Sequence, residues 1–513
     1  MRIRFTKNIA HSFLFSLVGF GGPLNAKNSV TVPPKMSPSA IVDVPAQGFE
    51  KSVLILSVSK QDIDIDSPWR FKDSTYEQHL GVVLGDGKIL TTAFAVLNSS
   101  LIEMKKFGQP LKSPLKVEFV DYECNLALLT AMDPDALVDT VPIEIGKDLA
   151  VTQEAWILNE RNATQLIRNA ARVAEVNVVN ATTSALRLPA YLMKVQQTGL
   201  GWSEPVIRGQ ELVGLTTGQD ENHVYALPAF VIQRFVEDFR SGHYRGFPGL
   251  GFEARGLVDP NLRKLLKANG AAGGVYISEI ERGSGAATVL NVRDVVLELD
   301  GISLAEDGTY RHEGWGRMNL QSLVSQKRGG ESLSLKILRD GQPLSVTMKL
   351  SRFDSNASSI VFDRYDSREE HVIFGGLIFQ ELSRDYLREW GREWRSVAPL
   401  DLLYLWEMKN NMSSERVRKV VLNRVLADEY NQGYERLQNL VLRSVNGVEV
   451  HSIAQLRDAL KRPIAANGGN FAVFRFDRDG GEVVLNYDHV DDAQMRIAKT
   501  YSINSPASFF LAH

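Results

Sequence analysis

From Ser52 onward the chain alternates short apolar runs with polar turns. Runs at 52–58, 79–84, 88–92, 115–120 and 126–130 have the length and β-branched content of strands. Gly85-Asp86-Gly87 between two of them predicts a tight hairpin. Further strands are expected at 155–158, 173–179, 185–188, 192–196 and 211–215. No long helical period interrupts them, so the pattern predicts an antiparallel barrel pair. Phe230, Ile232, Phe235 and Val236 then recur at helical spacing, which predicts a closing helix over 229–241.

At Gly246-Phe247-Pro248 the pattern changes. A strand at 275–277, the segment Asp294-Val295-Val296-Leu297-Glu298-Leu299-Asp300-Gly301, a helix at 319–326 and strands at 333–338 and 344–350 joined by Asp340-Gly341 predict a small α+β unit. Residues 353–370 are polar and read as a linker. A second unit of similar plan follows, opening at Gly375-Gly376-Leu377-Ile378-Phe379. It carries Asn446-Gly447 where the first has Asp300-Gly301, then a helix at 453–460 and strands at 471–475 and 482–487. Between them a helical insertion at 386–411 holds Trp390, Trp394 and Trp406, which read as packing residues. The expected division is 49–243, 244–352, the linker 353–370, 371–490 and a tail at 491–513.

The N-terminus adds an expectation about destination. Arg2, Arg4 and Lys7 precede a mostly apolar run over 9–20, followed by Gly21-Gly22-Pro23 and Ala26. This is the layout of a signal peptide, 1–26, and it points to a periplasmic or secreted protein. Residues 27–48, with Pro33, Pro34, Pro38 and Pro45, read as a linker. No later stretch is long and apolar enough to predict a membrane span. The net charge of −3 gives no reason to expect a nucleic-acid partner. A single cysteine, Cys124, excludes an intrachain disulfide and reads as a buried strand thiol. The nine histidines form no ligand spacing, so neither a metal nor another cofactor is expected.

Two motifs carry candidate chemistry. Thr198-Gly199-Leu200-Gly201-Trp202-Ser203-Glu204-Pro205, followed by an apolar strand, has the setting of a serine-protease nucleophile loop, where backbone N–H groups converge on an oxyanion. Gly249-Leu250-Gly251-Phe252 is similar to the carboxylate-binding loop of a PDZ domain, where N–H groups of a glycine-permitted turn face a peptide C-terminus. With Ser67-Pro68-Trp69-Arg70, Glu123-Cys124-Asn125-Leu126-Ala127-Leu128-Leu129-Thr130, Leu323-Val324-Ser325-Gln326-Lys327 and Asn431-Gln432-Gly433-Tyr434-Glu435, the chain resembles the HtrA/Deg protease family over about residues 50–505. More narrowly it resembles the plant-type branch with a protease domain and two PDZ domains. The implied fold is mostly β: a trypsin-like double β-barrel followed by two PDZ-like α+β domains.

Carried across residue by residue, the resemblance implies a lost triad. The family's His lies in Leu-Thr-Asn-Ala-His-Val-Val, and this chain has Leu90-Thr91-Thr92-Ala93-Phe94-Ala95-Val96. Its Asp lies before Leu/Ile-Ala-Leu-Leu, where this chain has Asn125. Its nucleophile loop reads Asn-Pro-Gly-Asn-Ser-Gly-Gly-Pro, which puts Trp202 at the nucleophile position and Glu204 at a glycine. Phe94 accepts no proton, Asn125 cannot offset an imidazolium, and Trp202 offers only an indole donor. Whether Trp202, Phe94 and Asn125 meet in space, as a buried apolar plug at the junction of the two barrels, is the observation that discriminates most. A fallback site would use Ser203 as nucleophile, His79 as base and Asp121 or Glu123 as orienting acid; His223 reads as a strand residue. The expected function is therefore a pseudoprotease scaffold, not an enzyme. Its first PDZ would bind C-terminal or unfolded peptide segments through Gly249, Leu250, Gly251, Phe252, Leu323 and Val324. The second PDZ would be architectural, and a homo-oligomer is expected by analogy with the family. The competing expectations are an active endopeptidase with a non-standard site and a purely structural oligomer component.

Overall fold

The computed structural model describes residues 44–504 and 509, except 47, 163, 197–198, 368–369, 410–416 and 478–480. The expected leader and most of the linker after it lie outside these residues.

Strands Val53–Lys60, Thr75–Val83, Ile89–Thr91, Leu126–Ala131, Lys112–Asp121 and Ser99–Lys106 close, in that order, into a barrel. Val53–Lys60 is buried along nearly its whole length, because its two faces serve different cores. Leu54, Leu56 and Val58 fill the barrel interior, and Val53 and Ile55 face the second barrel. Ser99–Lys106 was not foreseen from the pattern: only Ile102 and Met104 in it are buried, among Lys and Glu that hide the alternation. A second ring is formed by Glu154–Arg161, Gln165–Asn180, Arg187–Val195, Val224–Pro228, Glu211–Gln219 and Pro205–Arg208. It closes because Glu154–Arg161 pairs with both Gln165–Asn180 and Pro205–Arg208. The runs expected at 185–188 and 192–196 are one strand, Arg187–Val195, with a register shift at Leu192. Helix Ala229–Arg240 buries Val231, Ile232, Phe235 and Val236 in the seam between the two rings.

The third unit is a sheet in the order Phe252–Gly256, Val275–Ile280, Val295–Leu299, Ser332–Arg339, Gln342–Lys349; helix Gln321–Ser325 buries Val324 in a core with Leu333 and Leu335 and also lies against strand Arg187–Val195 of the second barrel. Asp340-Gly341 makes a two-residue turn with both residues at positive φ, 52° and 83°, as a tight hairpin requires. A hairpin the pattern did not predict, Thr309–His312 with Gly316–Asn319, docks this unit on the second barrel. There Trp315 Nε1 donates to the Leu149 carbonyl at 2.9 Å. The Arg234 guanidinium, on the closing helix, donates to the carbonyls of Ser325 and Lys327 at the C-terminal end of helix Gln321–Ser325.

The last unit runs His371–Phe374, Leu377–Glu381, Val420–Val425, Gln438–Val445, Gly469–Phe476, with Glu482–Asn486 beside the last of these. Asn446-Gly447 turns at φ 52° and 80°, and Asp300-Gly301 at 45° and 80°, so the two units share this turn. The insertion is three short helices, Arg384–Arg388, Trp394–Val397 and Leu400–Glu407, in which Trp394 and Trp406 are buried. Two stretches differ from the expected division. The polar stretch 353–370 holds the buried Ile360, Val361 and Phe362, of which Ile360 and Phe362 pack with Leu382, Leu387 and Trp406. Its Asp363 pairs with Arg384, a buried ion pair that its charged composition concealed. The expected tail contains helix Val490–Tyr501, whose Ala493 and Ile497 pack on Ile373, Ile378 and Leu426.

Ser67-Pro68-Trp69-Arg70 joins the first barrel to the last unit. The Ile65 carbonyl accepts from Gln380 Nε2 at 2.7 Å and Asn423 Nδ2 at 2.8 Å. Arg70 donates to the Tyr501 carbonyl at 2.8 Å.

Candidate functional site

Strand Ile89–Thr91 delivers a one-turn helix, Ala93–Val96, capped by Thr92, whose hydroxyl accepts from the Ala95 N–H. Phe94 stands on that turn. The loop before Leu126–Ala131 places Asn125 at φ 59°, a conformation asparagine tolerates. Its Oδ1 accepts from the Phe94 N–H at 2.8 Å. The third loop sets Trp202 against Phe94, ring centroids 5.2 Å apart. The three positions therefore converge where the two barrels meet. They do not form a buried plug, because Trp202 remains 40% exposed. Its indole lies over Phe94 at the mouth of the site and is not enclosed by it.

Glu204 is buried under the loop. Its Oε2 accepts from the N–H groups of Gly201 at 2.9 Å and Trp202 at 2.7 Å, and from the Thr216 hydroxyl. Amides in this loop that could face an incoming oxyanion are thus occupied by a carboxylate of the same chain. Gly201 has φ 123°, and a Cβ there would lie 2.6 Å from the Gly218 carbonyl oxygen, so the turn requires glycine.

The fallback constellation is not assembled. Ser203 is fully buried, and its Oγ shares a 2.5 Å hydrogen bond with Thr92 Oγ1. His79 Nδ1 lies 3.2 Å from the Trp202 carbonyl oxygen and Nε2 lies 3.0 Å from Glu77 Oε2. Both ring nitrogens are thereby committed away from Ser203. Asp121 accepts from the Tyr244 hydroxyl, and Glu123 accepts from the Ser355 N–H and hydroxyl. His223 lies just before Val224–Pro228, near Asp220 at 3.8 Å. Cys124 is fully buried beside Asp121 and Tyr244, and burial pushes its thiol up.

The sequence reading missed the polar cluster beneath Phe94. Buried Lys60 donates from Nζ to Glu77 Oε2 at 2.6 Å and to the Phe94 carbonyl at 2.9 Å, and stands 4.7 Å from the Phe94 ring centroid. The hydrogen bond from His79, and then Lys60, hold the Glu77 carboxyl down to about 2. Period-two spacing of Glu77 and His79 on one strand face was the available signal. Nothing local pointed to Lys60, whose strand partner Thr75 is set by pairing.

The second candidate is the groove at Gly249-Leu250-Gly251-Phe252. Gly251 has φ 74°, and a Cβ on it would meet Ser284 Cβ at 2.7 Å. Gly249 N–H donates to the Ser351 carbonyl at 3.3 Å. Among the described residues the N–H groups of Leu250 and Gly251 have no partner. Strand Phe252–Gly256 is the outermost of its sheet. Beside it opens a cavity of about 330 Å³, bounded also by Leu186, Leu320, Phe353 and Phe362. Of the predicted binding residues, Phe252 is buried and Leu250 and Leu323 are half-buried, whereas Val324 is wholly within the core. The corresponding strand of the last unit is covered. Gly375-Gly376 is a hairpin turn, and Leu377–Glu381 pairs with His371–Phe374 on one side and Val420–Val425 on the other.

A PDZ domain model matches residues 360–509, the last of the units just described. Protease Do-like 2, chloroplastic, of Arabidopsis thaliana is 26% identical over 464 residues, covering 87% of this chain and 72% of that protein. Protease Do-like 4, mitochondrial, of the same plant is 24% identical over 449 residues, covering 85% and 81%. Among solved structures, the HtrA-type protease AlgW with decapeptide is 15% identical and covers 60% of this chain and 96% of its own, with a TM-score of 0.44. Two closed six-stranded barrels with three loops converging at their seam define a trypsin-like serine-protease homologue. Within that class, this chain belongs to the HtrA/Deg family and carries a PDZ domain. Among the described residues no helix is long and apolar enough to cross a membrane.

Proposed function

We propose that this protein is an exported pseudoprotease, a barrel scaffold that presents a peptide-binding PDZ-like unit at 244–352. The observation that carries the first half is Glu204: its carboxylate sits on the Gly201 and Trp202 amides, beneath an aromatic pair at the base and nucleophile positions. A negative charge there opposes the developing oxyanion, and neither aromatic ring transfers a proton. Intact mass after treatment with a fluorophosphonate probe tests this. No adduct is expected, and casein should stay intact with both the wild type and Ser203→Ala. A Ser203-dependent adduct or cleavage overturns it.

The open edge Phe252–Gly256 and the unpartnered Leu250 and Gly251 N–H groups support peptide capture. A peptide would add as a strand, with its terminal carboxylate at the loop and an apolar last side chain against Leu250 and Phe252. An affinity of roughly micromolar is expected for so small a contact. Binding of free-acid peptides and weaker binding of their amides is the expected pattern; equal binding of both removes the carboxylate argument. The covered edge at Leu377–Glu381 supports an architectural role for the last unit. Export rests on the basic N-terminus and apolar run, and N-terminal sequencing from the native host should begin near Lys27. Association through the barrels follows the family expectation and is checked by light scattering across a wide concentration range.

A further inference from the structure

The groove beside Phe252–Gly256 has an uneven charge distribution. Glu253 and Glu279 are directly opposite in the strand register and so share one side of the sheet, and Glu281, just past the strand end, lines the same cavity. Like charges directly opposite one another destabilise a strand pair. Among the described residues none of the three forms an ion pair, and Lys409 reaches Glu279 and Glu253 only at longer range. Asp354 lies on the same cavity. The cations on it are Arg187 and Lys409; the Lys409 ammonium feels the charge of Glu279 and Glu253, but it donates to the Trp406 carbonyl, 3.2 Å away, and lies over that indole ring. The loop end is different. An adjoining cavity of about 460 Å³ at Gly249-Leu250-Gly251 is lined by Arg282, Lys349 and Arg352 as well as Lys409, against Glu281 and Asp354. The groove is therefore basic at the carboxylate end and acidic along the strand.

We propose that this groove selects peptides carrying a basic side chain shortly before an apolar C-terminal residue. The inference rests on the peptide-binding reading above. A chain with its carboxylate at the loop runs antiparallel to Phe252–Gly256. Successive side chains point to opposite faces, so if the last one meets Leu250 and Phe252, the penultimate one falls over Glu253 and Glu279. Lysine or arginine there answers the unpaired carboxylates, and glutamate adds a third like charge to an opposed pair.

The test uses the full chain and three fluorescent hexapeptides, free acids ending in leucine, that differ only in a penultimate Lys, Ala or Glu. Anisotropy titrations should rank them Lys, Ala, Glu, with about tenfold between the extremes, and added salt should narrow the gap. The combined variant Glu253→Gln, Glu279→Gln, Glu281→Gln should erase the ranking among the three peptides. Should that variant misfold, Glu279→Gln alone should reduce the gap. Equal binding of all three peptides overturns the selection and leaves peptide binding standing. A ranking that survives neutralisation, or favours Glu, also overturns it. Absence of binding by every peptide overturns both readings.

Discussion

Glu204 replaces a glycine of the resembled loop with the one side chain able to satisfy two of that loop's amides from below. Removing it should leave those donors unsatisfied, at about 1–3 kcal/mol each where buried. Glu204→Gly is therefore expected to lower the urea midpoint by about 2 kcal/mol equivalent and to create no hydrolysis, because Phe94 and Trp202 remain. Cleavage of casein by this variant would mean that Glu204 alone blocks the site. Glu77 gives a prediction in pH. Its folded carboxyl is held down to about 2 against an ordinary value of 4.5, first by the hydrogen bond from His79 and then by Lys60. For a depressed acid the stabilisation is present above the ordinary value and is lost as pH falls through the folded one. The stability difference between wild type and Glu77→Gln should hold from neutral pH to about 4.5 and close toward 2. Because Glu77 is 40% exposed, solvent screens the effect and the gap should be modest. A gap that widens on acidification contradicts the assignment.

At the scale of elements, the two C-terminal sheet units show how one strand changes what a sheet can do. Phe252–Gly256 ends its sheet, and Leu377–Glu381 lies inside its own because His371–Phe374 covers it. Gly251→Val should therefore weaken peptide binding at least tenfold, since a β-branched residue is strained at φ 74° and its Cβ meets Ser284. The thermal transition of the barrels should move little. Unchanged affinity would move the site away from this loop. The alternation of apolar residues foretold most strands of both units, and Asp340-Gly341 foretold its turn through the positive φ it demands. Edge position was not legible. Leu377-Ile378-Phe379 and Phe252-Glu253-Ala254 both read as strands, and only pairing decides which side is open.

Across the whole molecule, residues 353–367 strap the last unit to the barrels. Ser355 meets Glu123, Tyr365 donates to the Thr183 carbonyl at 2.9 Å, and Asp363 pairs with the buried Arg384. Breaking one member of a buried pair leaves an uncompensated charge, at about 3–5 kcal/mol. Asp363→Ala should then release the last unit in an early thermal transition, seen as faster hydrogen exchange over Leu377–Glu381. The double variant Asp363→Leu, Arg384→Met should restore much of that loss. A single unchanged transition in Asp363→Ala would mean that the strap is held by its apolar residues alone.

The sequence by itself determined most of the strands, the two repeated turns, the closing helix and the residue types at the three converging positions. Those follow from local periodicity, from the conformations that Asp-Gly and Asn-Gly permit, and from the chemistry each side chain carries. The tertiary structure decided the rest. It placed Lys60 under Phe94, turned Glu204 onto its own loop, packed a polar-looking strap into a core, and left one strand edge open while covering its counterpart. Each of these depends on which distant segments pair, and pairing between residues far apart in the chain leaves no local periodicity to read.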